Sequence, residues 1–574
     1  MMALALGIVA LIYWPASHGG FVLDDSTQLH DEAWLRGQEW YKFVFRGFND
    51  WVNYFRPLVV ALFAVELHIF DGAPEPMHIV SIGLHLANVV LVGLLAARIV
   101  EGRVSAPPSA GLAMLVYGLH PGLIEPVSWV GLQFDLSVVL FMLLGLQLDA
   151  RIARVGWRSI AVTGCFFLAL CAKEAAIAFP ALLLLFDLAT HRGWRDADNW
   201  RHVARDLWRK QRRTYIGVAL AGAAYLALRF WAIGFAAARP AAEPFFSLAR
   251  FNKVCLTYLE YWRLLLVPTS AIGPAHPYDE AALALLDWRN IGVDAAAITI
   301  AAAAVYGLWK RRLAGLVGVG VSLALFPALN FVPFIVNGSL YQDRYAASAI
   351  AFACIFVPAL CAPLLSRATV SMRTAARLAV AAWLVVCAWS VHATIPAWAD
   401  DVALCQWALR QHPDSLFAKS QLLDAYLARN DHVHARPLAD ALVAVGARCP
   451  GCMLDAAFLA VSERDSARAV SALEKLRDNP ILGYDKTILR KYILANGLLL
   501  DLQDRTDEAE SAFRDAIVVD ALDPEPWLAL ASLQIRKGDI PAARETAERG
   551  FALLAPDQRE SRRREFEQRL TSRR

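Results

Sequence analysis

Charge is scarce in this chain. Of its 574 residues only 19% are Asp, Glu, Lys or Arg while 57% are hydrophobic, which excludes an ordinary soluble enzyme. The net charge is +3 and the basic residues gather on no single face, so nucleic acid is not an expected partner. No basic n-region opens the first apolar segment, residues 3–15, and no small-residue cleavage site precedes Asp24. That segment therefore reads as a retained span and not a signal peptide. The two halves lack a repeated hydropathy pattern and matching interrupted helices, which disfavours a transporter. Of the nine Cys, five (Cys165, Cys171, Cys354, Cys361 and Cys387) lie in apolar runs as small hydrophobes and say little about redox compartment.

What the chain does have is long apolar runs punctuated by cations. Arg98 and Arg103, then Arg151, Arg154 and Arg158, the stretch 192–213, Lys310-Arg311-Arg312, and Arg367, Arg373 and Arg377 fall between them. With those clusters and the N-terminus on the cytoplasmic side, eleven spans result: 3–15, 77–100, 112–130, 136–148, two within 159–189 that meet at Lys173-Glu174, 215–235, 291–309, 313–336, 346–365 and 378–395. The first outer loop, 21–76, holds helices at 31–45, with Trp34, Trp40, Tyr41 and Phe45 among charges, and at 57–70, too short to cross; both are expected in the interface. An amphipathic helix at 252–267 belongs to the second outer loop.

From Trp398 onward the pattern becomes that of soluble amphipathic helices. Ala509, Phe513 and Ala516 recur as Ala543, Ala547 and Gly550, a shift of 34 residues at all three positions, with Pro524 and Pro556 closing each unit. That period is the tetratricopeptide signature of helix pairs stacked into a solenoid. Weaker units start at Trp407, Ala435 and Ala467, and the Arg-rich end from Arg559 reads as a capping helix. The expected fold is all-α: a membrane domain at residues 1–397 and a tetratricopeptide solenoid at 398–574, on the non-cytoplasmic side.

Asp24 and Asp25 follow the first span directly. Adjacent carboxylates at the edge of a bilayer are costly and so mark a functional candidate, although they also suit a span simply ending in water. Cys449-Pro-Gly-Cys452 admits a disulfide, half a zinc site or a redox pair; without a second CxxC, and in a non-cytoplasmic solenoid, a disulfide between Cys449 and Cys452 is expected. Asn337-Gly338-Ser339 fits a glycosylation acceptor in an outer loop, and the Ala- and Arg-rich composition suggests a bacterium, hence an inner-membrane protein with a periplasmic solenoid.

The chain also resembles the GT-C superfamily of membrane glycosyltransferases, and most closely the transmembrane and tetratricopeptide-repeat O-mannosyltransferase type. The residues that carry the resemblance are Phe21-Val22-Leu23-Asp24-Asp25, Tyr54-Phe55-Arg56-Pro57-Leu58 leading to Ile69-Phe70-Asp71-Gly72, His78-Ile79-Val80, His85-Leu86-Ala87-Asn88, Leu119-His120-Pro121, Glu125-Pro126-Val127-Ser128-Trp129, Asp135-Leu136, Ala172-Lys173-Glu174-Ala175, Asp343-Arg344-Tyr345 and the entry into the repeats from Trp398 to Pro413, in one order along nearly the whole chain. It implies transfer of a sugar, a hexose such as mannose, from a polyprenyl-phosphate donor to a protein hydroxyl on the non-cytoplasmic face, with the repeats binding the acceptor.

In that reading an acceptor hydroxyl needs a base, Asp24 or Asp25. The lipid-phosphate leaving group needs cations at the outer membrane edge, for which Arg56, Lys173 and Arg344 are the candidates, against plain interface snorkelling. His120, Glu125, Asp135, Glu174 and Tyr345 are expected to line the substrate cavity; the competing readings are a helix cap for Asp135 and a satisfied core histidine for His120. Related enzymes can hold a divalent cation near the first-loop carboxylate, and Asp24, Asp25, Asp135 and His120 could compose such a site, though their spacing alone does not show it. Transfer to a glycan or lipid, and a non-catalytic membrane-anchored scaffold, remain the alternatives.

Overall fold

The computed structural model describes residues 1–26, 29, 33–37, 40–42, 44–45, 54–101, 106–191, 193–194, 200–233, 247–268, 272–331, 339–446, 449–483, 485–554 and 556–571. It is all-helical among these, with one isolated bridge between Pro277 and Ser339. The glycosylation tripeptide Asn337-Gly338-Ser339 lies largely outside the described residues, as does much of the helix expected at 31–45. The chain divides into two compact units: residues 1–22, 44–48 and 53–400 form one, and residues 23–43, 49–52 and 401–574 the other.

Among the described residues of the first unit, seven helices are long and apolar enough to cross a membrane: Pro74–Val100, Val130–Arg151, Val155–Ala172, Trp200–Ile233, Trp288–Trp309, Asp343–Arg367 and Val370–Trp398. Each overlaps an expected span. The other four expected spans are shorter helices: Met2–Tyr13, Ala106–Gly118, Phe179–Thr190 and Leu313–Leu325. The run 112–130 stays apolar but leaves the helix after Gly118, because Pro121 and Pro126 remove backbone donors and short turns take over at Pro121–Leu123, Ile124–Ser128 and Val130–Leu132. Likewise Lys173 adopts an extended backbone, φ −164° and ψ 147°, and ends Val155–Ala172 where the charges interrupt the apolar run. The helices expected at 57–70 and 252–267 appear as Pro57–Phe70 and Leu248–Leu266.

Val130–Arg151 is the central helix, mostly buried, whereas Trp288–Trp309 and Val370–Trp398 are largely exposed. They show Trp288, Trp309, Val370, Leu378 and Trp389 to their surroundings. A large apolar exterior of this kind requires a non-aqueous cover, in keeping with a membrane protein. Trp288–Trp309 packs tightly on Leu313–Leu325 through Gly307 and Gly315, where a side chain on Gly315 would collide with the backbone of Gly307 and Leu308.

In the second unit the chain from Asp401 folds into successive antiparallel helix pairs. The turn inside a pair repeats one design: a left-handed residue, then the helix start. Asn430, Arg464, Asp504 and Gly538 have φ of 55°, 59°, 60° and 84°. At three of the four turns the next residue is an Asp whose carboxylate caps the helix: Asp431 to His434 N, Asp465 to Arg468 N and Asp539 to Ala542 N. Small residues on the second helix of each pair, among them Ala435, Ala439, Ala469, Ala509, Ala543 and Ala547, are buried between neighbours. Cys449 and Cys452 are joined by a disulfide at the start of Pro450–Ser462, with Cα atoms 5.3 Å apart. A cavity of about 640 Å³ opens in the C-terminal pairs, floored by Phe458, Leu494 and Phe551 and rimmed by Arg490, Lys491 and Glu565.

Candidate active site

Four cations come together at helix ends in the first unit. Lys173 leaves the end of Val155–Ala172 in its extended backbone and turns its Nζ to Asp135, at 2.6 and 2.7 Å from the two carboxylate oxygens. Asp135 lies in the first turn of Gln133–Arg151, and both members of the pair are buried. The Nζ also lies 4.6 Å from the centre of the Tyr345 ring. Arg344, in the turn Asp343–Ala346 that opens Ala347–Arg367, lies over the same ring at 5.0 Å and over Trp129 at 5.1 Å. Tyr345 is thus the aromatic surface that two cations share.

Arg344 is held by Glu125, which accepts from its backbone N–H at 2.9 Å and from its guanidinium, while Gln342 Oε1 accepts a further bond at 3.0 Å. Arg56 precedes Pro57, the first residue of its helix, and lies over Tyr54 at 3.9 Å and Phe134 at 4.8 Å. Two of its nitrogens donate to Glu174 Oε2 at 3.3 Å. The other oxygen of Glu174 accepts from Arg229 Nη1 at 2.7 Å. One carboxylate therefore ties two guanidiniums together, from the start of Pro57–Phe70 and the end of Trp200–Ile233.

Burial of this many ions is costly unless each is paired, and the pairing explains the carboxylates. Glu125, Asp135 and Glu174, expected as substrate ligands, are each bonded to a cation here. Burial, helped by the Arg56 and Arg344 charges, pushes the Lys173 amine down to about 8 against the pull of Asp135. Burial raises Glu174, but Arg56 and Arg229 outweigh it and leave the carboxyl below its usual value. His120 is a satisfied core side chain: its Nδ1 faces Gly122 N at 3.2 Å and its Nε2 faces the Leu265 carbonyl at 3.3 Å.

Sequence reasoning missed Arg229, Tyr54, Trp129 and Phe134 as members of this cluster. Arg229 carried a signal, a lone cation near the C-terminal end of an apolar helix, and Tyr54 and Trp129 stood beside residues already singled out. A second missed feature is His276, whose ring stacks on Tyr341 with centroids 3.8 Å apart and whose Nε2 lies 2.9 Å from Asp343 Oδ1. It fastens the segment around His276 beside Arg344.

Asp24 and Asp25 belong to the second unit. Asp25 is buried and Asp24 exposed, so the two adjacent side chains point differently. Asp135 and His120, the other proposed cation ligands, are engaged as described, and among the described residues no group of three or more His, Cys, Asp or Glu could hold a metal ion. No family model, curated protein or solved structure matches this chain.

Proposed function

We propose that the protein is a GT-C-type membrane glycosyltransferase that moves a hexose from a polyprenyl-phosphate donor to a protein hydroxyl on the outer face of a bacterial inner membrane. The observation that carries the reading is the cluster of Arg56, Lys173, Arg229 and Arg344 around Tyr54 and Tyr345. A phosphate that gains charge as its sugar bond breaks is stabilised by fixed donors in a partly dry site. Lys173 offers three N–H donors and each arginine five, a donor-rich, cationic group whose chemistry suits an anion such as the donor phosphate. The aromatic faces suit a sugar or the first isoprene of the carrier.

The base in this reading is Asp24 or Asp25, which removes the acceptor hydroxyl proton as the new bond forms. In this reading the chain crosses eleven times, with the basic clusters between apolar runs on the cytoplasmic side. The repeats are of the tetratricopeptide type, supported by the recurrent turns, and their 640 Å³ cavity offers a peptide an apolar floor with a charged rim.

Intact-mass and glycan analysis of envelope proteins tests the reading, comparing wild type with a strain carrying Asp24→Asn and Asp25→Asn together. Loss of a hexose-sized increment from particular proteins is expected. An unchanged protein profile with altered lipid or polysaccharide glycans would move the acceptor to those classes, and no change in any of them would sink the enzyme reading in favour of a scaffold.

A further inference from the structure

The residue that introduces the acid pair is strained. Leu23 has φ +50°, a left-handed conformation that costs a non-glycine residue with a γ-branched side chain and that persists only where surrounding contacts impose it. A contact from 378 residues away meets this turn: the Leu23 N–H donates to Asp401 Oδ1 at 2.6 Å, a short, charge-assisted bond. Asp401 stands in the first turn of Asp401–Gln411, the first helix of the repeats. Leu23, Asp24, Asp25 and Asp401 all belong to the second unit. Just upstream, Gly20 donates its N–H to the Ala399 carbonyl at 2.8 Å and its own carbonyl faces His78 Nε2 at 3.1 Å. The chain leading to the carboxylates is thus fixed at Gly20 and again at Leu23, by residues two apart at the entry to the repeats.

We infer that Asp401 is a positioning residue for the acid pair: its carboxylate holds Leu23 in the left-handed turn that sends Asp24 and Asp25 in their different directions. The inference rests on the reading that one of the two is the catalytic base. In an ordinary extended or helical conformation at Leu23, the following peptide plane would swing and both side chains would be redirected together. The first helix of the repeats is consequently part of the catalytic apparatus, and a chain cut between the spans and the repeats loses the base geometry as well as acceptor binding. A glycine at this position would adopt the same left-handed backbone without the steric cost, so Leu23→Gly relieves the strain that the Asp401 bond offsets.

The test uses the full chain in lipid nanodiscs with a polyprenyl-phosphate hexose and a peptide acceptor, measuring kcat and donor KM for Asp401→Ala, Asp401→Asn, and Asp401→Ala combined with Leu23→Gly. A misplacement of the base by about 1 Å lowers the rate by about 10²-fold, so Asp401→Ala is expected to lower kcat about 10- to 100-fold with donor KM unchanged. Asp401→Asn, which keeps an acceptor oxygen, and the added Leu23→Gly, which removes the strain, each restore a measurable part. Equal kcat for wild type and Asp401→Ala overturns the inference, as does a loss that neither Asp401→Asn nor Leu23→Gly relieves at matched thermal stability. Activity surviving Asp24→Asn with Asp25→Asn would instead overturn the underlying reading, and that variant is measured in parallel.

Discussion

Lys173 and Asp135 form a buried ion pair that joins the end of one membrane helix to the start of another, with Nζ 2.6 Å from Oδ1. Removing one member of such a pair strands the other, at a cost of about 3–5 kcal/mol. Asp135→Ala should therefore lower the unfolding temperature sharply in detergent, and adding Lys173→Met should recover much of it while leaving transfer abolished. Equal thermal stability of Asp135→Ala and wild type would show that the pair is not the buried contact described.

The same amine predicts a pH dependence. Burial pushes Lys173 down to about 8, so the charged form that would bind phosphate predominates below that pH and is lost above it. The donor kcat/KM, which reports the free enzyme, should fall by up to tenfold per pH unit as pH rises through about 8. Lys173→Arg, charged throughout, should remove that alkaline limb even if its maximal rate is lower. A wild-type profile flat to pH 9.5 would contradict the role given to Lys173.

Glu174 holds Arg56 through one oxygen and Arg229 through the other, so the two arginines should not behave independently. Groups in one such network couple by about 0.5–3 kcal/mol in double-mutant cycles. Glu174→Gln and Arg229→Ala should each raise donor KM several-fold, and the combined variant should be little worse than either. Strict multiplication of the two effects would mean that Glu174 does not transmit position between the arginines.

Much of this cluster was legible because charges interrupting apolar runs are rare and must be placed deliberately. Lys173-Glu174 announced a break at that position, and Arg56 before Pro57 announced a helix start. The pairing was not legible. Nothing in the local sequence of Asp135 says that Lys173, and not a substrate or a metal, is its partner; that follows from which helices pack together. Span lengths were hidden for a related reason. The stretch after Gly118 still carries Leu119, Leu123, Ile124, Val127 and Val130, so hydropathy continues where the backbone turns, and Pro121 and Pro126, with His120 and Glu125 beside them, hint at the change. In the repeats, the shift of 34 residues from Ala509 to Ala543 was plain, but the turns at Arg464 and Asp504 are 40 residues apart, and an extra turn at Pro480–Gly483 accounts for the displaced period.

Those turns yield a prediction on stability that does not depend on function. All four place a residue in the left-handed region, yet only Gly538 does so without steric cost. A Cβ built on Gly538 meets nothing within 4 Å, so Gly538→Ala adds only the conformational penalty of about 1–2 kcal/mol, offset by about 0.5–1 kcal/mol from the less free unfolded chain, for a net loss of about 0.5 kcal/mol. Arg464, exposed and at φ 59°, is the converse. Arg464→Gly relieves a strain of about 1–2 kcal/mol and gives back about 0.5–1 kcal/mol through the freer unfolded chain. The net should be a stabilisation of about 0.5 kcal/mol in the repeats. Thermal unfolding of the full protein, followed by protease sensitivity between residues 401 and 571, reads both substitutions, and opposite signs are expected. A stabilising Gly538→Ala would mean that the recurrent turn is not what closes each helix pair.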